Sequence, residues 1–397
     1  MRKKLVFVSS RFPFPKVGGF EIKNYHLIKT LSKEFDVSAH FVLRTSPDQY
    51  LIDQLSKFCE PHIHLINLFE VMFRFSRNLF LNEPLQNALY FSSNARKIIW
   101  DDLRMADVAV CSVIRTCDYI ADFNGPKIYD LADSLGQVYA RNIKFTRGWR
   151  RLAYQVESPR LLKKESNLLK NSNGVLFFNA REASLYSSSD NVFVVPHGVT
   201  DGIFELNHID QKYSDGLTFI GKLDVAHNVD MVLWFAKNVL PFLSSNIKLY
   251  LIGSNPCSDI VSLARADSRI IILGYLDDPY LVLRSSLASI CPLVTGGGIQ
   301  NKIIESLACG AVTIASSKAM EALSNPEESG VIVCDTPLEW IDSINKLCEN
   351  PFLYDCRRAN GRVYAARNFS WSSYGKAVLN IIRLGEAAYC NSNDLAS

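Results

Sequence analysis

The sequence predicts an α/β protein built from two doubly wound domains, each a parallel sheet between layers of helices. Three observations carry this. Short apolar runs rich in β-branched residues alternate with longer stretches at helical spacing along the whole chain, the pattern of parallel strands joined by crossover helices. The 397 residues exceed the roughly 250–300 at which one hydrophobic core stops growing. The alternation also breaks near its middle, in the polar, turn-rich stretch TDGIFELNHIDQKYSDG at 200–216.

Taken in order, strands are expected at 5–10, 37–43, 62–68, 107–113, 127–132, 174–180 and 192–198 in the first half. The second half repeats the theme at 217–223, 247–253, 270–276, 288–294, 311–317 and 330–335. Between the first two strands Ile22, Tyr25, Ile28, Leu31 and Phe35 recur every three or four residues, the apolar face of a helix. Pro196-His197-Gly198 reads as a turn, which places a linker at 203–214 between a first domain, 1–202, and a second, 215–372. From Trp371 the chain again has helical spacing, giving a C-terminal helix over 373–390 and a polar, frayed tail over 391–397.

Composition narrows the function classes. No apolar run approaches the roughly 18–20 residues that span a bilayer, so no transmembrane helix is expected. The N-terminal run is only Leu5 to Val8 before Ser9, Ser10 and Arg11, which suits a buried strand better than a signal peptide. Ten cysteines form no CxxC pair and sit mostly inside apolar runs, as free thiols in a reducing cytoplasm do, and cysteine-bound structural zinc is not expected. Residues 1–200 carry 27 Lys and Arg against 19 Asp and Glu, the remainder 16 against 21, so the first half is basic and suits an anionic partner. No nucleic-acid module is recognisable.

The stretch CPLVTGGGIQNKIIESLACGAVTIASS, 291–317, raises the sharpest question. It reads as strand, glycine loop, helix, with Gly296, Gly297 and Gly298 ahead of Asn301, Lys302 and Glu305. Bare backbone at a helix N-terminus receives anions, because free N–H groups and the helix dipole point there. Lys302 and Glu305 share a helix face, the lysine offering a cation and the glutamate an acceptor for hydroxyls. A tight turn followed by an ordinary surface pair reads equally well. The pattern is neither GxxxxGK[ST] nor GxGxxG, so neither a P-loop nucleotidase nor a dinucleotide dehydrogenase is indicated.

This stretch resembles the donor-site segment of retaining GT-B glycosyltransferases of family 4, the group 1 type that uses nucleotide sugars. Further segments resemble the family in order and spacing: FPFPKVGGFEIKNYHLIKTLS (12–32), VVPHGVTDGIF (194–204), FIGKLDVAHNVDMVLWFAKNVLP (219–241) and NFSWSSYGKAVLNII (368–382). The resemblance implies the GT-B architecture, two Rossmann-like domains facing each other across a cleft, with the last helix returning to the first domain. It implies that Gly296, Gly297 and Gly298 receive the donor diphosphate with Lys302 and Asn301 beside it. Glu305 would hold the nucleotide ribose, and Gly221 and Lys222 would face the diphosphate. Gly18 and Gly19 would meet the sugar or acceptor. No metal or other cofactor is implied, since fixed cations and N–H groups can stabilise the leaving diphosphate. Retention of anomeric configuration is implied as well.

Two departures from the family pattern stand out. Many members carry a glutamate eight residues before the ribose-binding one, where this chain has Gly297. Where the first domain often presents a histidine, KIYDLADSLGQ offers Asp130 and Asp133, and Asp133 is the candidate polar group near the transferred sugar, or else a helix cap. Asn228 reads as a ligand or an N-cap, His26 as a packed or solvated histidine, and Tyr275 as core or as a neighbour of the base.

FEVMFRFSRNLFLNEPL (69–85) and FTRGWRRLAY (145–154) interleave Arg with large apolar residues, a composition that suits a lipid interface, contacts to substrate phosphates, or an ordinary helix face covered by arginine stems. The expectation is a cytoplasmic enzyme, peripheral at the inner face of the cell membrane. It would move a sugar from a nucleotide-diphosphate donor to a glycan or lipid-linked acceptor in cell-envelope or exopolysaccharide synthesis. Two other readings share the architecture: a nucleotide-sugar epimerase, and a non-catalytic scaffold or sugar-nucleotide sensor.

Overall fold

A computed structural model of the protein describes residues 2–16, 19–143, 146–200, 202–294, 300–350 and 352–394. The chain divides into two compact units, residues 1–198 with 371–397, and residues 199–370. Each is a parallel sheet with helices on its faces.

The first unit contains β1 (Lys3–Ser9), β2 (Phe35–Leu43), β3 (Glu60–Leu65), β4 (Val108–Ser112), β5 (Lys127–Ala132), β6 (Gly174–Phe177) and β7 (Val192–Val194), in the spatial order 3-2-1-4-5-6-7. Alternation along β1 explains its two cores. Leu5 and Phe7 point to one face and pack with Leu27, Ile28 and Leu31 of the helix Gly19–Leu31 and with Val378 and Ile382 of the helix Trp371–Asp394. Val6 and Val8 point to the other face and pack with Ile99, Leu103 and Leu161 from the helices Ser93–Leu103 and Gly148–Lys170. Strands buried on both faces are apolar throughout, which is why they were legible as short runs.

The second unit contains β8 (Gly216–Ile220), β9 (Lys248–Ile252), β10 (Ile270–Gly274), β11 (Ala288–Cys291), β12 (Thr313–Ala315) and β13 (Ile332–Val333), in the order 10-9-8-11-12-13. Its single core runs from Leu217 and Phe219 to Trp340 and Phe369. Every strand expected from the sequence is present, and the differences are at the ends. The seventh stops at Val194 ahead of Pro196, and the sixth at Phe177, because Asn179 caps the helix Ala180–Ala183 by accepting from the Glu182 N–H.

The stretch 203–214, expected as a linker, is docked on the second unit as two short 3-10 turns. The Arg362 guanidinium donates to the Phe204 carbonyl, the Asp210 N–H to Ser285 Oγ at 2.9 Å, and the Tyr250 hydroxyl to the Lys212 carbonyl at 3.3 Å. The C-terminal helix extends to Asp394, and its Tyr374, Val378 and Ile382 belong to the core of the first unit.

Candidate functional site

In each sheet the strand order reverses once, between β1 and β4 and between β8 and β11. Connections there leave in opposite directions, which opens a crevice at the carboxyl ends of the strands, the usual ligand position of such sheets.

In the second unit, Gly221 and Lys222 follow β8, and the helix Asn301–Cys309 follows β11. Gly221 has φ +155°, and a Cβ there would lie 2.8 Å from Asn228 Nδ2. Glycine is needed for both reasons. Asn228 is buried in the first turn of the helix Ala226–Asn238, yet it caps nothing; that helix starts after Val225. Its amide instead joins the two sides of the reversal: Nδ2 donates to the Lys222 carbonyl at 2.9 Å, and Oδ1 accepts from Lys302 Nζ at 2.8 Å. Lys302 also donates to Gln300 Oε1 at 3.4 Å, and its ammonium lies 5.1 Å from the centre of the Phe219 ring. Burial pushes the Lys302 ammonium below its ordinary range, while Cys291 and Glu305 act in the opposite direction. Lys222 and Asn301 are exposed. Gly296, Gly297 and Gly298 lie outside the described residues.

Glu305, one turn further along the helix, is largely buried, and desolvation pushes its carboxyl up to about 7 with Lys302 opposing. It sits by Tyr280, whose phenol is pushed up to about 12 by burial first and Glu305 second, and whose hydroxyl pairs with Thr200 Oγ1 at 2.9 Å. A carboxyl titrating near 7 when folded and near 4.5 when unfolded binds more protons in the folded state between those values, so stability declines as pH rises through that window. Relative to Glu305→Gln, wild-type Tm is therefore expected to fall between about pH 4.5 and 7, measured by calorimetry across the range.

In the first unit, Gly19 opens the helix Gly19–Leu31, and Gly18 lies outside the described residues. That helix is stitched to the strand ends by Asn24, which donates to Ser9 Oγ at 3.0 Å and to the Arg11 carbonyl at 2.7 Å and accepts from Ser112 Oγ at 2.7 Å. Asp133 leaves β5 after Ala132, which has φ +65°, and is exposed. Partial desolvation raises its carboxyl, Glu182 adds to the rise, and Lys23, His197 and Arg141 oppose it. Asp133 is not a helix cap, because Ser134 does that by accepting from the Gln137 N–H. The Asp130 carboxylate is buried against Lys23 Nζ at 2.7 Å and accepts from the Tyr374 hydroxyl. His26 is packed, its ring stacked on Trp371 at 4.8 Å. Tyr275 is exposed beyond Gly274, not core.

The structure thus brings Gly221, Lys222 and Lys302 together through Asn228 and places Glu305 beside Tyr280. The joining role of Asn228 and the position of Tyr280 were missed, since nothing local marks a residue by a partner distant in sequence.

Residues 214–350 match the model of a family described as glycosyl transferases group 1. HepE (Alr3699) from Anabaena, solved in complex with UDP, is similar in fold, with a TM-score of 0.61 at 13% identity over 96% of this chain and 99% of its own. Sucrose-phosphate synthase from Thermosynechococcus elongatus has a TM-score of 0.61 at 16% identity over 97% and 100%. A glycosyltransferase from Rickettsia africae has a TM-score of 0.61 at 13% identity over 97% and 99%. Such identities speak for the fold alone. Among curated proteins no match to this chain is found. The protein has the two-unit Rossmann-like fold of GT-B glycosyltransferases, and the stretch that matches the group 1 glycosyltransferase model lies in its second unit, in line with the sequence resemblance.

Proposed function

We propose that the protein transfers a sugar from a nucleotide-diphosphate sugar to a glycan or lipid-linked acceptor with retention of anomeric configuration, in cell-envelope or exopolysaccharide synthesis. The observation that carries this reading is the Lys302 ammonium, held by Asn228 and Gln300 at the strand reversal of the family-matched unit. The UDP in the HepE structure, and the UDP-glucose in another structure of the same protein, favour a nucleotide sugar as donor.

In this reading Lys302 and Lys222 meet the diphosphate, Gly221 lets backbone approach it, and Gly296, Gly297, Gly298 and Asn301 are its backbone N–H donors. Glu305 accepts from the ribose hydroxyls. As the sugar leaves, negative charge grows on the diphosphate, and an ammonium already fixed in place stabilises it without reorganisation. The diphosphate then takes the acceptor proton, so no pair of carboxylates is needed, unlike in the glycosidases. Asp133, Gly18 and Gly19 serve the sugar and acceptor.

The test is transfer from a panel of nucleotide sugars to lipid-linked and soluble glycan acceptors, with the new linkage assigned by NMR. An inverted linkage contradicts retention; an epimerised donor without acceptor contradicts transfer. Turnover is expected to survive EDTA, and its loss with rescue by Mg2+ would show that the fixed cations do not suffice. At Gly19 an added Cβ meets nothing within 4 Å. Gly19→Ala should therefore leave Tm unchanged while transfer falls by about 10²-fold, the cost of misplacing a substrate by an ångström.

Among the described residues no helix is long and apolar enough to cross a membrane. The helix Leu68–Leu81 buries Val71 and Asn78 and turns Phe69, Met72, Phe73 and Phe80 to solvent, with Arg77 exposed beside them. An anionic bilayer surface matches that stripe. Co-sedimentation with phosphatidylserine vesicles should be lost on changing Phe69, Phe73 and Phe80 to serine.

A further inference from the structure

The open edge of the first sheet holds a cluster that sugar transfer does not use. β3 is the edge strand, and it pairs in parallel with β2 so that His40 lies directly opposite His62, and Val42 opposite His64. Side chains alternate along a strand, so His62 and His64 share one face of β3, with Glu60 two residues earlier. That face is covered by the helix Ser93–Leu103, whose Asp102 reaches down to it.

The donor atoms converge. His40 Nε2 is 2.9 Å and His62 Nε2 3.9 Å from Asp102 Oδ2, and the three ligand atoms all lie within 4.8 Å of one another. His62 Nε2 is closed off from solvent and makes no hydrogen bond among the described residues. His40 is fully buried, and its other ring nitrogen, Nδ1, lies 3.0 Å from His64 Nε2.

We propose that His40 Nε2, His62 Nε2 and Asp102 Oδ2 form a binding site for a zinc-class divalent cation, which ties β2 and the edge strand β3 to the helix Ser93–Leu103. Two imidazoles and a carboxylate are the donor types such an ion takes, and bonds of about 2.0–2.1 Å set tetrahedral donors about 3.4 Å apart. The His62 ring must therefore tilt and close toward the carboxylate. With an ion bound, His40 carries its proton on Nδ1 and donates it to His64 Nε2, the outer-shell partner that fixes the ligating tautomer. His64 in turn holds its proton on Nδ1, so both rings stay neutral and no proton leaves that pair. Glu60 Oε1, 3.6 Å from His62 Nε2 on an exposed side chain, lies outside this cluster, which leaves the fourth position to water. A surface pocket lined by Ser38, Glu60, Asp102 and Met105 borders the site on the side of its carboxylate.

The test uses the full chain, made without a polyhistidine tag, stripped with chelator and dialysed against Zn2+. One equivalent per chain is expected, with a Zn2+-dependent rise in Tm, and Co2+ in its place should show the visible absorption of a tetrahedral site. His62→Ala should weaken binding by more than the about 10–100-fold that losing an outer-shell partner costs. Should that variant fail to fold, Asp102→Asn, at a half-exposed position, decides instead. A folded wild-type chain that takes up no stoichiometric Zn2+ overturns the proposal, as does equal uptake by these variants.

Discussion

Lys302→Ala is expected to lower kcat/KM for sugar transfer by about 10²–10³-fold, the usual cost of removing one preorganised charge-stabilising donor. The lysine reaches its position through a hydrogen bond to Asn228 across 74 residues of sequence, and burial makes its charge more effective than it would be in water. The fold should survive, because the ammonium is desolvated at a cost and its removal relieves that cost while giving up, among the described residues, its hydrogen bonds to Asn228 and Gln300. Lys302→Arg tests position against charge: a planar guanidinium keeps the charge but cannot occupy the same point, so it should restore little. Steady-state kinetics beside a thermal melt separates loss of chemistry from loss of fold. Turnover within a few-fold of wild type would remove Lys302 from the site.

Asp130→Ala has the second large expected effect, and it falls on stability. Lys23 and Asp130 are both almost fully buried, and the carboxylate also accepts from the Tyr374 hydroxyl of the C-terminal helix. Removing the carboxylate strands a buried ammonium, which costs about 3–5 kcal/mol. In a unit of this size that lowers Tm by about 6–20 °C. Adding Lys23→Met should recover much of the loss, because no buried charge then lacks a partner. A melt of Asp130→Ala within a degree of wild type would contradict the buried pair.

The fold was legible because its strands are apolar on both faces and bounded by turn residues, so each reads as a run without its neighbours. The parts of the candidate site that were legible are local: Lys302 and Glu305 lie on the helix that comes after β11, and Gly221 and Lys222 directly follow β8. What stayed hidden depends on partners far apart in sequence. Asp130 read as a possible site residue until Tyr374, 244 residues away, closed over it. Asn228 read as a cap or ligand because its position near a helix start says nothing of Lys302. His40, His62 and Asp102 look unremarkable in sequence, since only the pairing of β2 with β3 and the helix laid across them bring the three together. The stretch 203–214 reads as a linker from its polarity, whereas what docks it on the second unit are backbone groups bonded to Ser285 and Tyr250, partners distant in sequence.

Binding of a nucleotide-diphosphate sugar by the second unit through Lys302 is open to measurement by thermal shift. Wild type and Lys302→Ala would be melted with UDP-, GDP-, ADP- and dTDP-sugars in the presence of EDTA. A ligand of the native state at 100 times its Kd stabilises by about 2.7 kcal/mol. One base class is expected to raise the Tm of wild type and to leave that of Lys302→Ala nearly unmoved. No shift in wild type from any of them, or the same shift in both proteins, would contradict it.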